Sequence, residues 1–70
     1  MAVPLPRHDS FTVGKGRWTA VVDDDTPGHR DTFRWHGFHT REDAEEFLNT
    51  KTAGIAVNPV KRVYEMERPL

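Results

Sequence analysis

A chain of 70 residues, 36% of them hydrophobic, has room for one small domain with a single, marginal core. It has no cysteine, which excludes a disulfide framework and any thiolate metal site. Its 10 Lys and Arg against 11 Asp and Glu leave a net charge of −1, without the basic excess that nucleic-acid binders usually carry.

Residues 1–9, "MAVPLPRHD", carry two prolines and little periodicity, and read as a flexible N-terminal arm. They lack the charged-then-apolar pattern of a secretion signal. No apolar run approaches the ~20 residues that span a bilayer, so a soluble, cytoplasmic protein with no membrane partner is expected. Residues 10–70 read as one domain. Phe11 and Val13 in "SFTVGKG" suit a short first strand, and Gly14-Lys15-Gly16 then reads as a tight turn, because glycine tolerates positive φ.

"RWTAVVD" alternates. Trp18, Ala20 and Val22 fall on one face, and Thr19, Val21 and Asp23 on the other. "DDDTPGH" follows as the hairpin tip, with Pro27-Gly28 as its turn signal. "RDTFRWHGF" alternates again: Phe33 and Trp35 share one face, Arg34 and His36 the other, and Gly37 marks a bulge that returns Phe38 to the inner side. Residues 39–48, "HTREDAEEFL", predict a helix with Thr40 as N-cap and an acidic first turn, its apolar stripe being Ala44, Phe47 and Leu48. The helix is expected to fade near Lys51 to Thr52, with Gly54 as its terminator. "VKRVYEMER" alternates loosely, with Val60, Tyr64 and Met66 on one face and Arg62 among them, and is assigned as the last strand. The expected fold is α+β, a small antiparallel sheet of three to four strands with one helix packed on one face.

Gly16 and Trp18 opening a strand, Ala20 and Val22 within it, and the run F-x-T-x-E-D-A-x-x-F over residues 38–47 resemble the three-stranded-sheet-plus-helix domains of plant APETALA-type transcription factors. The same stretch, 16–48, is similar to the arm-site-binding N-terminal domains of phage tyrosine integrases. In such domains the outer face of the sheet lies in the DNA major groove, so the resemblance implies DNA binding. Lys15, Arg17, Arg30, Arg34 and His36 are the candidate DNA-binding residues. At the outward positions of the second strand, where the plant family carries Glu and Arg, this chain holds Val21 and Asp23.

The aspartates Asp23, Asp24 and Asp25 would repel a nucleic-acid backbone. They are the candidate contacts to a basic protein partner, set against their ordinary role in a solvated turn. His29, His36 and His39 lie close in sequence, but zinc needs three or four converging ligands and His36 and His39, on a strand leading into a helix cap, need not point the same way, so no metal or cofactor is expected. No nucleophile–base set and no phosphate loop appears, which points away from an enzyme and from a small-molecule substrate. The sequence therefore predicts a non-catalytic regulatory or adaptor module, of a phage-like or mobile-element kind, that binds a protein partner or forms a homodimer through an open strand edge. The alternative is a DNA-binding module that uses the sheet's outer face.

Overall fold

A computed structural model describes residues 8–28 and 30–67. In chain order the elements are β1 (His8–Thr12), β2 (Trp18–Asp24), β3 (Thr32–Phe38), α1 (Arg41–Thr50) and β4 (Pro59–Glu65). They form an α+β domain: a four-stranded sheet in the order β1-β3-β2-β4 with the helix packed on one face. β1 starts at His8, two residues inside the expected arm; residues 1–7, the rest of that arm, lie outside the described residues.

The period-two alternation of β2 and β3 sets the register. Antiparallel pairing places Ala20 opposite Trp35 and Val22 opposite Phe33, so the apolar residues of both strands share the helix side. Trp35 is the centre of an aromatic cluster. Its ring lies 5.0 Å from Phe47, 5.8 Å from Phe11 and 6.3 Å from Phe33, and Phe47 in turn lies 5.2 Å from Phe38. These separations are within the range where aromatic pairs add to simple area burial. Ala44 and Leu48 close the core from the helix. Trp18 packs against its rim, with the Arg41 guanidinium 5.6 Å from the ring centroid.

The sheet is mixed, a correction to the antiparallel arrangement expected. β1 pairs with β3 in parallel, His8 opposite Thr32 through Thr12 opposite His36. The reason is the connection. β1 and β2 run in opposite directions but are not neighbours, so residues 13–17 must cross the end of β3, a span of two strand spacings or about 10 Å. Gly14-Lys15-Gly16 is that crossing and not a tight turn. Neither glycine has a positive φ. Both are needed because the backbones touch: a Cβ on Gly14 would stand 2.6 Å from the Gly37 carbonyl oxygen, and one on Gly16 would collide with Phe38 and His39. Val13 N–H donates to His36 O at 2.7 Å and Gly16 N–H to Gly37 O at 3.0 Å, sealing the contact. Gly37 is the expected bulge: at φ 107° it is skipped in the ladder, where Trp18 faces Phe38 and Thr19 faces His36.

Thr40 caps α1, its hydroxyl accepting from Asp43 N–H at 3.0 Å. The helix ends at Thr50 with Lys51 as its C-cap, at the edge of the Lys51–Thr52 stretch where it was expected to fade. Thr50 Oγ1 donates back to Glu46 O at 2.7 Å within the last turn, and Thr52 Oγ1 donates to Leu48 O, a carbonyl that the helix end leaves open. Gly54 follows with φ 82°. In β4, Val63 turns to the core, while Val60 and Tyr64 turn to the opposite face with Arg62. The apolar positions Val60 and Tyr64 of that strand therefore stand on the side away from the helix.

Candidate functional site on the open sheet face

α1 packs over β2 and β4, touches β3 more sparsely and does not reach β1. The other face of the sheet has no helix on it among the described residues. Register places its side chains in three rungs, read across β1, β3, β2 and β4. They are His8, Thr32, Asp23 and Val60; then Ser10, Arg34, Val21 and Arg62; then Thr12, His36, Thr19 and Tyr64.

The middle of this face is closed and its margins are open. Val21, between Arg34 and Arg62, and Thr19, between His36 and Tyr64, have no exposed surface. Thr19 Oγ1 and His36 Nδ1 are hydrogen-bonded at 2.9 Å, which orients the imidazole. Asp23 accepts from Thr32 Oγ1 at 2.9 Å and from Arg62 Nη2 at 2.8 Å. Val60 and Tyr64 are 45% and 40% exposed at one margin. With histidines neutral, two arginines against one aspartate leave this face at +1, whereas one arginine against four carboxylates leaves α1 at −3. The domain is electrically two-sided.

The three aspartates have separate places. Asp23 belongs to the open face. Asp24 turns the other way, to the helix side, and is 7% exposed. Its carboxylate accepts from Thr26 N–H at 3.0 Å, from Asn58 N–H at 3.3 Å and from Val57 N–H at 3.3 Å, fastening the hairpin to the segment that enters β4. The Thr26 hydroxyl beside it, followed by those backbone donors, holds the Asp24 carboxyl below its ordinary value, against the opposing effect of burial. No hydrogen bond of good geometry reaches the Thr26 hydroxyl itself, so the anchoring rests on the backbone donors. Asp25 is exposed, and its N–H donates to Asn58 O at 3.0 Å. The run thus closes β2 and starts the turn, and two of its three carboxylates are engaged within the fold.

The candidate DNA-binding residues do not converge. Arg34 and His36 stand together on the open face. Lys15 and Arg17 lie exposed at the crossing, and Arg30 lies exposed at the opposite end of the sheet, about 20 Å away along β3. His29 lies outside the described residues. His36 and His39 are on different sides of the domain, His39 lining the groove beside α1. Among the described residues no three His, Asp or Glu side chains gather as metal ligands would, and no helix is long and apolar enough to cross a membrane.

Arg62 and Tyr64 complete the face and were not among the expected site residues. The signal was present: an arginine inside the Val60–Tyr64 stripe marks that stripe as one facing away from a core. Comparison of the chain with protein-family models, with curated proteins and with solved structures finds no match.

Proposed function

We propose that this chain is a non-catalytic regulatory or adaptor module that grips a protein partner with the open face of its sheet. The observation that carries this is the second and third rungs. Arg34, Arg62 and Tyr64 surround a sealed floor of Val21 and Thr19, with Val60 beside them. Tyr and Arg are the residue types that dominate binding energy at protein interfaces, and here they stand around a floor closed to solvent. Asp23 fixes Arg62 in place, which lowers the ordering cost of that guanidinium. The expected contact through the aspartate run narrows on this reading to Asp25 as a rim charge.

A second reading, DNA binding by the same face, is supported by the two-sided charge and by the resemblance to the APETALA-type and integrase-arm domains. Phosphate binding calls for several cations in a track. Here Arg62 is shared with Asp23, and of the candidate DNA-binding cations Lys15, Arg17 and Arg30 lie at the two sheet ends, so the protein partner is preferred.

Two measurements separate the readings. Crosslinking capture with wild type and with the Arg34→Ala, Tyr64→Ala double variant should yield a protein that the variant loses. Anisotropy with a mixed-sequence DNA duplex, at low and physiological salt, should show no salt-sensitive binding. Micromolar, salt-sensitive duplex binding that Arg34→Ala abolishes would replace the first reading with the second.

A further inference from the structure

α1 does not reach β1, so the helix covers only part of its own side of the sheet. The gap is a groove of about 350 Å³ that runs beside the helix. One side of it is apolar: Phe38 and Phe47 are half-buried there, and Val13, just past β1, is 46% exposed.

The other side is the flank of the helix, which brings Asp43, Glu46 and Lys51 to the groove. Asp43 and Glu46 are three residues apart, so they are neighbours on one helix face, where like charges repel. No hydrogen bond or ion pair among the described residues engages either carboxylate. Elsewhere on the same helix, by contrast, Glu45 is paired with Arg41 at 3.7 Å. Lys51 lies about 8 Å beyond Glu46 along the helix axis and leaves the pair uncompensated. With His39 neutral, two carboxylates against one lysine put the groove at −1.

We propose that this groove docks a segment of a partner protein in which an apolar side chain stands next to a Lys or Arg. The apolar side chain fills the space between Val13, Phe38 and Phe47, and the cation beside it bridges Asp43 and Glu46. Charge complementarity selects this occupant: a cation relieves the repulsion between the two carboxylates, and an acidic segment would add to it. A protein segment suits the shape. Asp43, Glu46 and Lys51 are all exposed, so the groove is an open trough and does not enclose a small ligand as ligand pockets do. A peptide anchored by one side chain can run along such a trough. This surface is on the helix side, separate from the open face, and does not depend on what that face binds.

The test is a titration of the isotope-labelled whole chain, followed by amide chemical shifts. The probes are capped heptapeptides, each with one Leu or Phe next to one Lys or Arg in a glycine–serine background. At least one should bind with a Kd below about 1 mM and move the amides of Phe38, Asp43 and Phe47. Asp43→Asn with Glu46→Gln should weaken that binding about tenfold or more, as should Val13→Lys, while dispersed spectra show folded domains. Glu42→Gln, exposed on the helix but outside the groove, should leave it unchanged. No binding by any of these peptides below 1 mM overturns the proposal. So does equal binding of peptides with Glu in place of the cation, or undiminished binding by either groove variant. Phenethylammonium binding as tightly as the best peptide overturns the choice of a protein segment. Should Val13→Lys not fold, the two carboxylate substitutions decide alone.

Discussion

Gly14 and Gly37 meet backbone to backbone at the end of β3, where the chain leaves β1 and crosses to β2. Each occupies the space that the other's Cβ would need. Gly37 also holds φ 107°, which an L side chain adopts only under strain. Gly37→Ala should therefore cost about 2 kcal/mol or more, and lower the melting temperature by on the order of 10 °C. Gly28 is also at positive φ but has open space around it, so Gly28→Ala should cost less. Thermal melts of the two variants compare strain plus collision with strain alone.

Trp35 joins Phe11, Phe33 and Phe47 into one cluster. Trp35→Ala removes its largest member, a change of about 3–5 kcal/mol in other cores. A domain of this size has only a few kcal/mol to lose. The variant should be largely unfolded at 25 °C by near-ultraviolet circular dichroism, whereas Trp18→Ala, at the rim, should remain folded.

The Asp24 clamp makes stability depend on acid. Its carboxyl titrates below the ordinary value in the folded chain, so its contribution is fully present above about pH 4. The contribution is lost as pH falls through the lowered folded-state pKa. Asp24→Asn should melt lower than wild type at pH 7, and the two curves should converge as pH falls through the lowered folded-state pKa. Parallel curves at every pH would assign the acid response to other groups.

Removal of the Thr40 cap should cost about 1 kcal/mol in Thr40→Ala, with Thr40→Asn close to wild type. Urea midpoints of the three proteins measure this directly. On the open face, Arg34→Ala with Tyr64→Ala should change the midpoint little and weaken partner binding about 30-fold or more, as interface anchors do.

Much of this fold is written in short-range pattern. Alternation in "RWTAVVD" and "RDTFRWHGF" assigned each side chain its face, Gly37 its bulge and Thr40 its cap, because those depend on neighbours one to four residues away. The parallel placement of β1 was not legible. Five residues between strands fit a turn or a crossing equally, and the choice depends on whether β2 finds β3 first. The roles of Asp24 and Arg62 were hidden for the same reason. Their partners, Val57 with Asn58 and Asp23, lie 33, 34 and 39 residues away, and no local spacing encodes them.

β1 is bonded to the rest of the sheet through β3 alone, whereas β2 has a strand on each side. The antiparallel β2–β3 pairing is local in sequence; the β1–β3 pairing closes a loop of 24 residues, from His8 to Thr32. β1 should therefore join after the β2–β3 hairpin has formed and peel away from the native state before β2 does. In hydrogen exchange its amides should open well before those of β2.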